Sequence, residues 1–177
     1  MNKINDISLK QFLSFFPIVS PPVVISKDTI TTFSKENKPL PMIALEKYFK
    51  AWGDEIDEFV EFVPCFSLEA TQEYQTLVYW KASLLSYEYI IVTLDKTSEV
   101  ISKKVIAGII SDGIKSVQSA ATIQEDLTIH IASGMIADNN LYDAKDSKQT
   151  YMEIMPSGQI ITINEENYVN DKKEQEQ

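Results

Sequence analysis

The chain has 177 residues and a net charge of -10, which comes from 26 acidic residues against 16 basic ones. Every basic residue is lysine, because the sequence contains no arginine. The negative charge opposes binding to phosphate backbones and anionic lipid surfaces, and the missing arginine removes the planar group that makes bidentate phosphate contacts. We therefore expect no nucleic-acid partner and no membrane partner. The length and the 44% apolar content suit one globular domain.

Cysteine and histidine are nearly absent, which restricts metal and redox chemistry. Cys65 is the only cysteine and lies between apolar residues, so an intrachain disulfide is excluded and a buried, inert thiol is expected. With His130 as the single histidine, a zinc or iron–sulfur centre lacks ligands. Segment 138–146 is rich in oxygen ligands but lacks the order of a calcium-binding EF-hand loop, and no glycine-rich phosphate loop occurs. We expect no metal and no cofactor.

The first residues do not form the pattern of a secretory signal peptide. Asp6, Ser8, Lys10 and Gln11 interrupt any apolar run near the start of the chain. The longest apolar runs are far shorter than the ~18 residues that a membrane-spanning helix needs. Together with the single cysteine, these features predict a cytoplasmic location.

Two short helices are predicted in the N-terminal half. Apolar residues in 8–16 recur at helical spacing, and Pro17 ends that pattern. A second pattern starts after Pro41, and the helix is expected to end near Trp52 because Gly53 follows. Between them, Val23-Val24-Ile25 follows two prolines and predicts an edge strand, where proline is tolerated.

From about residue 59 the chain predicts a series of short β-strands separated by turns. The expected strands are 59–69, 73–81, 84–94, 99–110, 113–123, 126–136, 149–155 and 158–164. Connections this short force neighbouring strands to pair antiparallel. Gly108 and Gly134 lie inside strand patterns and predict bulges or sharp coiling there. The predicted fold is α+β: an antiparallel β-meander of about seven or eight strands with two short helices, in a single domain over 1–164. The polar tail 165–177 is expected to be disordered.

The aromatic residues of two adjoining predicted strands are the candidate binding residues. Trp80, Tyr87 and Tyr89 would form a recognition surface if they gathered on one open face. Packing inside the core, together with Tyr74 and Tyr79, explains the same residues. His130 is the other candidate, because it is the only side chain suited to proton transfer at neutral pH, although a hydrogen-bonded sheet histidine explains it as well.

The meander also carries a family resemblance. Segment 79–96, the Val105-Ile-Ala-Gly108 run, the Asp112-Gly113 turn and strand 126–131 resemble uncharacterised bacterial α+β proteins with a C-terminal antiparallel meander. In those proteins a strand, Asp-Lys, strand, apolar-x-Gly, Asp-Gly pattern recurs after a proline-containing N-terminal region. The resemblance implies a fold type, and no activity is assigned to those proteins. This chain departs from the pattern at Thr97-Ser98, where glycine would favour a tight turn.

Three functional hypotheses follow from these observations. The first is a non-enzymatic binding protein that uses a sheet face to engage a protein partner or a small apolar ligand. The second is a carboxylate-based small hydrolase, in which two acids meet in a cleft and His130 assists. The third is an acidic inhibitor or immunity-type protein that neutralises a basic partner.

Overall fold

A computed structural model describes residues 6–136 and 147–163 of the chain. The oxygen-rich segment 138–146 and the predicted tail 165–177 lie outside the described residues. The single domain over 1–164 stays a prediction.

The described residues form three short helices, a π-helical turn and nine strands. The helices are α1 (Leu9–Leu13), α2 (Thr29–Glu36) and α3 (Met42–Ala44), and α3 continues into the π-helix Leu45–Phe49. The strands are β1 (Val23–Ile25), β2 (Glu61–Ser67), β3 (Gln75–Ala82), β4 (Ser86–Leu94), β5 (Val100–Ser111), β6 (Ser116–Ile123), β7 (Thr128–Ile136), β8 (Lys148–Ile154) and β9 (Ile160–Ile163).

The predicted antiparallel meander is confirmed. Strands β2 to β9 are hydrogen-bonded in chain order, and each pair is antiparallel. Three of the turns contain an aspartate whose carboxylate accepts backbone N–H groups of its own turn: Asp95 from Thr97 and Glu99, Asp112 from Ile114 and Lys115, and Asp126 from Thr128. These local hydrogen bonds favour each reversal and so fix the pairing of the strands that flank it.

The sheet divides between β5 and β6. Strand β5 pairs with β4 from Val100 to Ile110, but its pairing with β6 covers only Gly108 to Ser111. The second half of β6 pairs with β1 instead, with Ile25 opposite Ala121. Strands β6 to β9 consequently fold back over β2 to β5 as a second layer. The predicted edge strand at 23–25 thus closes part of the opening.

Contacts of the β8–β9 turn hold the two layers together. The Thr93 hydroxyl of β4 donates to the Gly158 carbonyl in the β8–β9 turn at 2.6 Å. The Gln159 amide of the same turn donates to the Ile101 carbonyl of β5 at 3.3 Å. The turn that ends the second layer is therefore attached directly to the first.

Two apolar clusters lie on the two faces of β2–β5. The inner core, between the layers, contains fully buried side chains of both layers, among them Phe66, Val78, Ile91, Ile106, Ile123 and Ile129. The helix-side core contains Phe12, Phe49, Leu77, Tyr79, Ile90 and Val92. Successive residues of a strand point to opposite faces, so a strand covered on both faces is apolar at consecutive positions, as β4 is from Tyr89 to Val92.

The helices differ from prediction in number and in kind. Ser8 caps the start of helix α1. Its hydroxyl accepts from the Gln11 N–H, and the Gln11 side chain accepts from the Ser8 N–H. The second predicted helix is split, because only Met42–Ala44 is α-helical before the π-helical turn. Gly53 ends the region, with a φ of 85° that few other residues adopt.

Helix α2 was not predicted, and the expected number of two helices was wrong. Its sequence, TITTFSKE, is rich in β-branched and polar residues and buries no residue fully. Tertiary contacts hold it: the Asn37 amide after its last turn donates to the carbonyls of Pro64 and Cys65, both at 2.7 Å. Those carbonyls belong to the irregular part of β2, where pairing with β3 shifts between Pro64 and Phe66.

Of the two glycines expected at bulges or sharp coiling, one lies near a bulge and the other does not. The β4–β5 register shifts between Tyr89 and Ile90, close to Gly108, which has a φ of 136°. Gly134 lies in an uninterrupted β6–β7 register, so no bulge occurs there. At Gly108 a Cβ would lie 1.9 Å from the Tyr87 carbonyl oxygen, a distance that excludes any side chain.

This close approach predicts an unusually large cost for Gly108→Ala. Gly113→Ala is the matched control, because Gly113 also has a positive φ, 89°, but a Cβ there meets nothing within 4 Å. In urea unfolding we expect Gly108→Ala to lower the free energy of unfolding by ~3 kcal/mol or more, and Gly113→Ala by ~1 kcal/mol. Equal losses for the two variants would show that the contact with the Tyr87 carbonyl is unimportant.

Candidate functional site

A concave apolar pocket opens beside the point where β5 and β6 separate. Its volume is about 220 Å³. We call it the aromatic pocket; it is lined by Lys27, Ile30, Trp80, Tyr87, Tyr89, Gly108 and Ile109. The lining is mainly apolar and aromatic with few polar groups, which is the usual character of small-molecule sites.

Strand pairing brings the aromatic walls together. Trp80 of β3 lies opposite Tyr89 of β4, and Tyr87 lies opposite Ile109 of β5. The Trp80 and Tyr87 rings are parallel to within 1°, with their centroids 5.9 Å apart. Since Tyr87 is 51% exposed, this pair presents aromatic surface to the solvent without rearrangement.

Tyr89 forms the buried wall and connects the pocket to α2. Its side chain is 1% exposed, and its hydroxyl lies 2.9 Å from the Thr29 hydroxyl. Burial raises the pKa of Tyr89 to about 12. The Thr29 hydroxyl also donates to the Ser26 carbonyl and accepts from the Ser26 N–H, so the turn before α2 is held against Tyr89.

The structure brings together three of the four predicted site residues. Trp80, Tyr87 and Tyr89 line the same pocket, whereas His130 does not line it. His130 lies half-buried on β7, where its ring packs edge-on against Tyr151 with centroids 4.9 Å apart. The neighbouring Ile129 belongs to the inner core, because successive residues of a strand point to opposite faces.

The aromatic residues divide between the two cores and the pocket. Tyr74 belongs to the inner core and Tyr79 to the helix-side core, as core packing predicted. Tyr89 is buried as well but contributes one wall of the pocket, and Tyr87 is surface. The residues that sequence reasoning missed are Lys27, Ile30 and Ile109, because their proximity depends on α2 and on the β5 bulge. The one available signal was Gly108 inside a strand pattern.

A second concavity, of about 490 Å³, lies between the π-helix and the β4–β5 turn. Its lining mixes Lys47 and Glu99 with hydroxyl groups and with Trp52. The Trp52 indole already donates to the Ser98 carbonyl at 3.3 Å. Its mixed polar and apolar lining makes it a weaker candidate for an apolar ligand than the aromatic pocket.

A buried carboxylate lies on the other side of the first layer. The Asp54 side chain is 2% exposed and accepts from the Tyr79 hydroxyl at 2.6 Å and from Lys81 at 3.1 Å. The Lys103 ammonium lies 3.3 Å from the second carboxylate oxygen. Burial and the Asp54 charge raise the pKa of Tyr79, which therefore stays protonated. The cluster attaches the chain after the π-helix to β3 and β5.

The remaining chemistry-bearing groups form no site in the described part of the chain. Burial raises the pKa of the Cys65 thiol, which disfavours the reactive thiolate. Within residues 6–136 and 147–163, no three His, Cys, Asp or Glu side chains are grouped so that they could hold a metal ion. Across the same ranges, no helix combines the length and apolar character that crossing a membrane requires.

Comparisons with known proteins add no functional information. No protein-family model, curated protein or solved structure matches this chain. The resemblance noted in the sequence therefore stays a hypothesis. The geometry of the aromatic pocket is the remaining source of functional information.

The Thr29–Tyr89 contact predicts a defined pH dependence. The folded pKa of Tyr89 is raised to about 12, above the value of about 10 for an exposed tyrosine, so its stabilising effect is present below pH 10 and is lost between pH 10 and 12. Tyr89→Phe should lower the free energy of unfolding by ~1 kcal/mol at pH 8. In urea unfolding, the difference in the free energy of unfolding between Tyr89→Phe and the wild type should become smaller from pH 10 to pH 12. A difference that stays constant over this range would contradict the raised pKa of Tyr89.

The Asp54 cluster predicts that this carboxylate stabilises the fold far more than an exposed one. Asp54→Asn leaves two lysines without their buried counter-charge and should lower the free energy of unfolding by ~3 kcal/mol in urea. Asp6→Asn is the control, because Asp6 pairs with Lys47 at 2.7 Å while remaining 74% exposed. We expect no measurable change in its unfolding midpoint. A small effect of Asp54→Asn would show that the buried cluster contributes little.

Proposed function

We propose that this protein is a non-enzymatic cytoplasmic binding protein that takes a small, flat, apolar ligand into the aromatic pocket. The observation that carries the proposal is the parallel Trp80–Tyr87 pair above the buried Tyr89, in one preformed concave site. Aromatic walls give large contact area at a low cost in side-chain entropy. The cytoplasmic location rests on the single cysteine of the chain.

The size of the pocket limits the ligand. A cavity of about 150 Å³ accommodates benzene in another protein. The aromatic pocket, at about 220 Å³, is therefore large enough for one aromatic ring with a short substituent. It lies below the ~300–1,000 Å³ of typical drug-sized sites, so a large cofactor would remain mostly outside it.

The two tryptophans provide a built-in test of the proposal by proton–nitrogen NMR. Phenylacetamide is a suitable neutral probe, and its ten or so non-hydrogen atoms at ~0.3 kcal/mol each predict a dissociation constant in the millimolar range. Titration should shift the Trp80 indole N–H signal saturably. The Trp52 indole signal is an internal control, because Trp52 is 7% exposed and hydrogen-bonded to Ser98. Trp80→Phe assigns the two signals.

Tyr87→Ala should weaken binding of phenylacetamide about fivefold, because it removes one face of the aromatic pair. Leu84→Ala is the matched control, since Leu84 is 81% exposed in the neighbouring β3–β4 turn and does not line the pocket. Both variants should keep the wild-type melting temperature within a few degrees. Failure of the Trp80 signal to shift, or equal shifts of both indole signals, would contradict the proposed function.

A second candidate function is binding of a protein partner. It is favoured by the exposed apolar side chains at the tips of two neighbouring hairpins, Leu84 and Leu85 in one and Ile114 in the other. Exposed apolar groups that cluster on a surface are typical of interaction sites. The ligand experiment separates the two candidates, because the hairpin tips lie outside the aromatic pocket.

A further inference from the structure

We propose that the ligand of the aromatic pocket is a small aromatic monocarboxylate, with its ring against Trp80 and Tyr87 and its carboxylate at the Lys27 ammonium. This inference rests on the proposed function and adds the charge and chemical class of the ligand. Three observations support it: Lys27 lines the pocket, a hydrogen-bonded turn fixes the Lys27 backbone, and Trp80 and Tyr87 in the same lining carry hydrogen-bond donors.

Among the described residues, Lys27 is the only charged one that lines the pocket. Lys27 forms no ion pair with any described residue, a state that it shares with most of the described lysines, since only Lys47, Lys81 and Lys103 are paired. It differs from the other unpaired lysines because it lines the aromatic pocket. An ammonium group without a counter-charge, next to apolar walls, is complementary to an apolar ligand that carries one negative charge.

The backbone of Lys27 is fixed relative to the aromatic walls. Lys27 lies inside the turn closed by the Thr29 N–H, which donates to the Ser26 carbonyl at 3.2 Å. The Thr29 hydroxyl bonds that same carbonyl and lies 2.9 Å from the Tyr89 hydroxyl. The turn and the pocket wall therefore move as one unit, which lowers the entropy cost of placing the ammonium at the rim.

Two residues of the lining, Trp80 and Tyr87, each carry a further hydrogen-bond donor. No side-chain nitrogen or oxygen that is fully buried in the described residues lacks a hydrogen-bond partner. The Trp80 indole N–H and the Tyr87 hydroxyl make no hydrogen bond within the described chain, so both reach the solvent or the pocket. Two donors without acceptors, on residues that share the lining with Lys27, favour an anionic oxygen ligand over a cationic or purely hydrocarbon one.

The volume restricts the acid to a small one. A pocket of about 220 Å³ takes one ring and a short linker, which leaves the carboxylate at the open side. Long-chain fatty acids and nucleotides exceed this volume. Arylacetates are the class that matches the ring-binding walls, the short reach and the single positive charge.

Phenylacetate and phenylacetamide form a matched pair of probes, because they have almost the same shape and differ in charge at neutral pH. The Trp80 indole signal of the full-length protein is followed for both at pH 7 and low salt. Lys27→Met keeps the length of the side chain and removes its charge. Lys35→Met is the control, because Lys35 is an exposed lysine of α2 that does not line the pocket, so it changes the net charge equally.

The wild-type protein and Lys35→Met should bind phenylacetate about three- to tenfold more tightly than phenylacetamide. Lys27→Met should remove this preference, so that its affinities for the two probes become equal, and added salt should reduce the preference in the wild type. Equal affinity of the wild type for the two probes, or a preference that survives Lys27→Met, would overturn the inference while leaving the proposed function intact. Absence of binding by both probes would overturn the proposed function itself.

Discussion

The architecture depends on one constraint, namely that β5 keeps β4 as its partner along nearly its whole length but releases β6 after four residue pairs. An ordinary meander would continue as one twisted sheet with one face for the helices and one for the solvent. Here the released half of β6 pairs with β1, and the later strands turn back over the first four. The apolar side chains of both halves then share the inner core.

The same constraint creates the candidate site. Beside the point where β5 and β6 separate, Trp80 and Tyr87 keep part of their surface open. Gly108 permits the close backbone approach to Tyr87 that this geometry requires. The turn before α2 covers one side, and the contact between Thr29 and Tyr89 holds it there. The pocket is thus a consequence of how the sheet divides, and its functional value lies in the residues placed around that division.

Much of the fold could be predicted from the sequence, because its determinants are local. The strands alternate or are continuously apolar, and residues such as Asp95 and Asp112 form turns through hydrogen bonds to their own backbone, which also lower the pKa of both carboxyls. The helices at 29–36 and 42–49 were harder to predict from the sequence. Helix α2 lacks an apolar stripe and depends on Asn37 and other distant contacts, and the π-helical turn has no distinctive sequence pattern.

The candidate site was predictable only in part, for the same physical reason. Trp80, Tyr87 and Tyr89 lie on paired strands, so their proximity follows from the hairpin alone. Lys27 comes from a turn more than fifty residues earlier in the chain, and no periodicity connects it to β3 or β4. His130 attracted interest through its chemistry, but its position depends on which face of the second layer turns outward. Residue type identified candidates, and only the return of the second layer decides which of them meet.

The return of β6–β9 over β2–β5 is therefore the central claim, and a nuclear Overhauser measurement on the wild-type protein tests it most directly. A Cβ on Gly158 would lie 2.9 Å from the Ile101 δ-methyl carbon and 3.0 Å from the Tyr74 ring. The α-protons of Gly158 should accordingly show strong cross-peaks to the Ile101 δ-methyl group and to the Tyr74 ring protons. If both cross-peaks are absent while the β8–β9 turn is well ordered, the sheet does not fold back, and the account of core and pocket is wrong.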